Sequence, residues 1–536
     1  TMVSLPSFHI SWSSDQATPR DRRGLYGNKK YQKAKRPARF MLKETRFENS
    51  SLIVSKFIDP TTDDFEEVPG ALHRQEDLVS HHFVPVTLNL FHSGRELMTN
   101  FILLCATLTL TMTAVQILYS LHSCLFNIEL FHHLQSGVSV LGFGLLWGAL
   151  CFIPCAFLPP ARYIRIKLPV ACSGILTFAL GHYLNRPLLY IPLCLVFGFS
   201  LAIAIDSCFS YLLALIMYFI PFTDPQILPK FLIRYFCTSN APQLLAGVIL
   251  VLGIALLPPD DYNNGLSVTN ISDTSHQIEV NQSVLPYMTN TEQIICSLLE
   301  TQVGVIAFLL TIAAILFVSA FISIILQPMA LEEHQDPLER SNFRVVLTNI
   351  VGLFSEKDPL FLFPLSITIG FQNAFVWTDV YWSYVTCHLS AAHFSYIVLS
   401  MGIFKLISSI FVIHVIWVMP RLAIAFAGLT FHAGIILTLG IWHPSSDDSV
   451  LFYVITGGIA ICVSIWEVLI LTRLSFVPTC QWRLIHNLTW SFRLLGSGLL
   501  LSLGVLLTTM DKLYILTALL LVSVGCLGYL ETKKSY

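Results

Sequence analysis

Residues 302–327 read QVGVIAFLLTIAAILFVSAFISIILQ. No charged side chain interrupts this run. As an α-helix rising about 1.5 Å per residue it is long enough to cross a hydrocarbon core of roughly 30 Å. Lipid offers no partner to free backbone amides, so an apolar segment of this length has to be helical. Comparable runs fall at 97–122, 134–157, 168–185, 187–210, 235–257, 359–381, 391–416, 421–442, 450–472, 489–509 and 512–530. The sequence therefore predicts an all-α polytopic membrane protein with about twelve transmembrane helices. The stretch 211–234 is apolar but carries Pro221, Asp224-Pro225 and Pro229, and reads as an interfacial connection.

Composition supports the same class. Of 536 residues 54% are hydrophobic and only 12% are charged, and mean hydropathy is +0.68. A soluble domain carries roughly 25% charged residues. A net charge of −2 gives no basic field for nucleic acid. The 13 cysteines lie mostly within apolar runs and form no C-x-x-C pair, so they read as small buried hydrophobes. There is no Walker loop, no His-Glu-x-x-His and no Gly-x-Ser-x-Gly. Nothing supports an enzyme, and no cofactor is implied.

Lys and Arg placement sets the expected orientation. With the N-terminus in the cytosol, Arg162, Arg165, Lys167, Lys230, Arg234, Arg340, Arg344, Lys357, Arg421, Arg473, Arg483, Arg493, Lys533 and Lys534 fall on or near the cytosolic side. Arg186 and Lys512 fall outside. The first long apolar run begins near Leu97, so no cleavable signal peptide is expected, and residues 1–94 read as a basic, disordered cytosolic arm.

Loop 258–301 has no Lys or Arg and contains Asn270-Ile271-Ser272 and Asn281-Gln282-Ser283, two glycosylation acceptors on the outer side. Asn49 and Asn487 match the same pattern on the cytosolic side and read as chance. A cytosolic loop, 328–358, separates a first half (95–327) from a second (359–530), each of six spans, the layout of the major facilitator fold. Cys124 and Cys296 both fall in outer loops, where disulfides persist, and are candidates to pair, with Cys387 as a competitor. Residues 531–536 form a cytosolic tail. Its Lys533 and Lys534 match a dilysine retrieval signal, or simply anchor the basic side.

The connection after the second span lacks the Gly-x-x-x-Asp-x-x-Gly-Arg-type motif of ordinary major facilitator transporters. It reads Leu158-Pro159-Pro160-Ala161-Arg162-Tyr163-Ile164-Arg165-Ile166-Lys167. Further stretches are Asn100-Phe101 leading to Val115-Gln116, and Gly370-Phe371-Gln372-Asn373-Ala374-Phe375 followed by Asp379 and Ser383-Tyr384-Val385-x-Cys387. Others are Ser395-Tyr396-Ile397, Met401-Gly402 and Trp490-Ser491-Phe492-Arg493-Leu494. In these the chain resembles the Unc-93-like family, a divergent branch of the major facilitator fold. The resemblance spans roughly residues 95–530. It departs at the tenth span, where Trp466-Glu467-Val468-Leu469 replaces a Trp-Gln-Thr-Gln-like stretch.

The resemblance implies a non-enzymatic regulator or escort of another integral membrane protein, a potassium channel first and a Toll-like receptor second. It implies the plasma membrane first, then endoplasmic reticulum or endosomal membranes. The fold alone implies a secondary transporter of a small solute, the alternative; the motifs and the altered connection after the second span favour the regulator. Candidate intramembrane residues are Asp206, Asp379, Lys405, Glu467, His182, His393, His414 and His432, with Gln372 and Asp379 inside the seventh-span motif. Ionisable groups in lipid face a cavity or a partner and can form a proton or substrate relay. The competing reading is helix-end charges that reach the interface, satisfied core histidines and, for Asp379, helix packing. Gly144, Gly148, Gly496 and Gly498 give small-residue faces suited to packing inside the bundle, or to docking a partner.

Overall fold

A computed structural model describes the chain from Gly94 to Lys534. It leaves out 126–136, 156–162, 185–186, 220–226, 257–301, 327–347, 353–361, 387–388, 475–480 and the single positions 349, 390, 417, 443 and 505. Asn270, Asn281, Cys296 and the Cys124 side chain lie outside the described residues, as do the His182, Lys533 and Lys534 side chains.

Twelve rods make up the described fold. They are α1 (Gly94–Leu125), α2 (Gly137–Cys155), α3 (Ile164–Leu184), α4 (Pro187–Phe219), α5 (Ile227–Ser239 and Ala241–Leu256, joined at Asn240) and α6 (Gln302–Ile325). The second six are α7 (an α segment, Phe363–Phe375, continued by a π-helical segment, Val376–Thr386), α8 (Ala391–Val415), α9 (Arg421–Ile441), α10 (Ser449–Leu474), α11 (Trp482–Leu503) and α12 (Thr509–Lys534). Nine are long and apolar enough to span a membrane by themselves, and α2 contributes a shorter apolar stretch, Val140–Cys155. In α7 the helix changes type midway. In α11 the buried residues include Asn487, His486 and Arg493, so polar side chains within it are turned inward. Outward faces carry large apolar side chains such as Phe143, Phe317, Phe411 and Leu437, as a lipid-facing surface requires.

The second six helices repeat the packing of the first. The neighbours α1–α5, α1–α6, α2–α4, α3–α4 and α3–α6 reappear as α7–α11, α7–α12, α8–α10, α9–α10 and α9–α12. Hydroxyls bridge equivalent helix pairs, Thr111 to Ser319 (2.7 Å) between α1 and α6 and Thr368 to Ser523 (2.8 Å) between α7 and α12. The halves meet along α2–α11 and α5–α8, a pairing that maps onto itself when the halves are exchanged. At these seams backbones touch. A Cβ on Gly142 would strike the backbone of Ser502 and Gly498, and one on Gly402 would strike Leu244. Gly144 and Gly148 abut Cys194 and Gly198 of α4, and Gly496 abuts Ile367 of α7. All four small-residue positions therefore serve packing inside the bundle rather than an outer docking face.

Several boundaries differ from expectation, three of them with consequences. The stretch 211–234 is largely spanning helix: α4 continues to Phe219 with Tyr211, Leu212 and Leu215 buried, and α5 starts at Ile227. Pro229 falls in its first turn, where a missing amide is harmless. The eleventh span begins at Trp482, not 489, which moves Arg493 from the rim to the middle of a helix. Helix α12 runs through Lys534, so the dilysine pair closes a helix. Of the nine cysteines described as free, seven are buried.

Candidate functional site

The face where α1 begins is called proximal below, and the opposite face distal. A cavity of about 70 Å³ lies between the halves. Helices α1, α4 and α5 line it from the first half and α7, α8, α10 and α11 from the second. A smaller recess of about 20 Å³ shares Gln116, Gln243, Asn373, Trp377 and Lys405 with it. The stretches that carried the family resemblance, distant in sequence, converge here: Gln116, Gly370, Asn373, Trp490 and Arg493 line the main space and Met401 the recess.

Three charges meet at the cavity. The Glu467 Oε1 oxygen accepts from Arg493 Nη1 at 3.1 Å and lies 3.6 Å from Lys405 Nζ. Arg493 and Lys405 sit halfway along α11 and α8. Glu467 is on the proximal third of α10, but helical side chains tilt toward their own N-terminus, here the distal end, which carries its carboxylate inward. The Arg493 guanidinium lies over the Trp490 ring, 4.9 Å from the centroid, and is held there by the ring's negative face. Glu467 and Lys405 thus form an internal pair at mid-depth rather than helix-end charges reaching the interface.

The other candidates are elsewhere. Asp206 of α4, 1% exposed, accepts from Arg483 Nε and Nη2 (both 3.0 Å) and from Asn487 Nδ2 (2.7 Å), both on α11. Arg483 also donates to the Cys155 carbonyl at the proximal end of α2 (3.0 Å). This cluster ties the halves together near the proximal face. Asn487, one of the two chance glycosylation matches, is buried within it. Asp379 lies in the π-helical segment and accepts from Lys512 Nζ (2.9 and 3.0 Å), Thr509 (3.0 Å) and Thr378 (2.7 Å). It joins α7 to α12, and it explains why a lysine stands on the otherwise lysine-poor side. Gln372 is buried, is not among the residues lining the cavity, and neither of its amide atoms has a hydrogen-bond partner.

His432 accepts from the Trp466 indole at 3.1 Å, and His414 bonds the Ile410 carbonyl. His432 is a satisfied core group. At the distal side, Tyr119 of α1 stacks on Trp377 of α7, centroids 4.1 Å apart. Sequence reading missed the roles of Arg483 and Arg493 as ion-pair partners. Arg493 stood inside a resemblance motif, which was the available signal. Among the described residues no cluster of three or more His, Cys, Asp or Glu gathers to hold a metal.

Two six-helix halves around a central cavity are a major facilitator architecture. Solved structures agree: the major facilitator superfamily transporter FucP in its outward conformation matches 81% of this chain and 99% of its own (TM-score 0.53, 12% identity). A D-xylose-proton symporter matches 79% and 96% (TM-score 0.53, 12% identity). At such identity the likeness concerns the fold. No family model matches the chain. Curated relatives are Protein unc-93 homolog A of Homo sapiens, 23% identical over 228 residues, 42% of this chain and 49% of the relative, and of Mus musculus, 24% identical over 231 residues with the same coverage. The chain spans about half the length of these relatives. The resemblance to the Unc-93-like family is borne out as a likeness: the chain is similar to these unc-93 relatives over 42% of its length, and its fold is that of the major facilitator transporters.

Proposed function

We propose that the protein is a membrane carrier that takes a small solute into its central cavity and passes it across the bilayer as the halves rock about the α2–α11 and α5–α8 seams. The observation that carries this reading is the cavity itself, with an ion cluster at mid-depth between two repeated halves, where alternating-access carriers bind. The Asp206–Arg483 cluster and the Tyr119–Trp377 stack are the contacts that the two alternating openings break. Asn373→Cys tests it. A membrane-impermeant thiol reagent should label the variant above the native background when applied to either face in turn. Labelling from one face only, or from neither, rules the carrier reading out.

One observation favours a second reading. The 158–167 connection lacks the glycine and aspartate of the transporter motif. This suits the role implied by the resemblance, regulation or escort of another integral membrane protein, with a potassium channel ahead of a Toll-like receptor. On that reading the halves stay closed and a channel copurifies in mild detergent without solute uptake.

We place the basic proximal face in the cytosol, with both termini, because the basic side chains crowd that face, and the protein in the plasma membrane, as the resemblance implies. Loop 258–301 then carries glycans. Glycosidase treatment should shift the mobility of the native protein, and the Asn270→Gln/Asn281→Gln variant should show no shift. A glycan mapped to Asn487 would invert this topology.

A further inference from the structure

We propose that the central cavity binds a small organic monocarboxylate, held by Arg493 and Lys405 in competition with Glu467. As to transport, this rests on the carrier reading above. The first argument is charge. Among the described residues, the Lys, Arg, Asp and Glu side chains lining the cavity are two cations and one carboxylate, and both cations converge on a single oxygen, Glu467 Oε1. One positive charge is left over in a space largely shut from water. Buried charge without a counterpart is unfavourable, so an entering anion relieves a cost that a neutral or cationic solute cannot.

The second argument is geometry. Arg493 gives Nη1 to Glu467, while its Nε is buried with no hydrogen-bond partner. A guanidinium presents a planar fork that matches a carboxylate with two parallel N–H bonds, and this one lies over the Trp490 ring, 4.9 Å from its centroid. Lys405 reaches Glu467 only at 3.6 Å, which is longer than a hydrogen bond, so its ammonium is incompletely used. The third argument is shape. The remaining walls combine the rings of Trp377, Trp490 and Tyr119 with the amides of Gln116 and Asn373. Such walls, around a space of about 70 Å³, suit a compact solute with a short apolar body on one charged head. A cation would meet two positive charges and a carboxylate already engaged by both.

The test uses the purified full chain in detergent and equilibrium binding of radiolabelled acetate and propionate, each beside its neutral amide, acetamide and propionamide. The acids should saturate and bind about tenfold or more tightly than the amides. Arg493→Met and Lys405→Met should each weaken acid binding about tenfold. Glu467→Gln should tighten it, because the competing carboxylate is gone; a merely structural role for Glu467 predicts the opposite sign. Arg493→Met/Glu467→Gln, which removes both members of the pair, keeps the arginine test independent of an unpaired Glu467. Acids and amides binding alike, acids not binding, or Glu467→Gln abolishing acid binding would each overturn the proposal. Labelling of Asn373→Cys reads the carrier motion without any solute. Acid preference with one-sided labelling keeps the anion site and removes the carrier, whereas two-sided labelling without acid preference does the reverse.

Discussion

Asp206→Asn is expected to lower the thermal unfolding midpoint sharply and to bias the cavity toward opening at the proximal face. The substitution leaves Arg483, whose side chain is 16% exposed, without its carboxylate. Breaking a buried ion pair by removing one partner costs about 3–5 kcal/mol, mostly the penalty of the stranded charge. Asp206 belongs to the first half of the molecule and Arg483 and Asn487 to the second, so the loss is concentrated where the halves must part. Proximal-side labelling of Asn373→Cys should therefore rise in this background. Arg483→Lys should recover only part of the native behaviour, because an ammonium cannot bond two carboxylate oxygens and the Cys155 carbonyl in the same plane. An Asp206→Asn protein that unfolds at the native temperature and labels as the native background does would remove the clasp.

Asp379→Asn is expected to have an effect of similar size on stability, about 3–5 kcal/mol, since it strands the Lys512 ammonium, whose side chain is 10% exposed. Its consequence is different because both groups lie in the second half. The pair anchors the π-helical segment of α7 to the first turns of α12, and the same segment presents Trp377 to the cavity and to Tyr119. A π-helical stretch has poorer backbone geometry than an α-helix and persists where tertiary contacts hold it. Losing the anchor should loosen Trp377. Asp379→Leu/Lys512→Met, which removes both charges, should restore most of the stability. Thermal unfolding of the two variants and the native protein checks this. If the double variant is as unstable as Asp379→Asn, charge pairing is not what holds α12 in place.

Much of the site was visible in the sequence as unplaced polar residues. Asp206, Asp379 and Glu467 stand out because a carboxylate inside an apolar run is conspicuous. Their partners do not, since an arginine near the end of a hydrophobic window looks like a basic loop residue. Arg483 and Arg493 were assigned to the cytosolic rim because α11 presents polar side chains to the bundle, which dilutes its hydropathy and hides its first two turns. The fourth span ended too early for a related reason. The prolines after Phe219 mark the true end of the helix, but the apolar residues before them are buried against protein and not marked off from a connection by composition alone.

Hydropathy alone was enough to read the membrane class and the bounds of most of the described helices. Lipid is a solvent that each segment meets directly: an apolar run must satisfy its own backbone whatever its neighbours are, so hydropathy along the chain reads out spans one at a time. Tertiary structure alone decided which charges meet. Asp206 and Arg483 are 277 residues apart, and Asp379 and Lys512 are 133 apart. Such pairs form because repeated helix packing brings particular faces together, and a buried charge is tolerated only where that packing supplies its opposite.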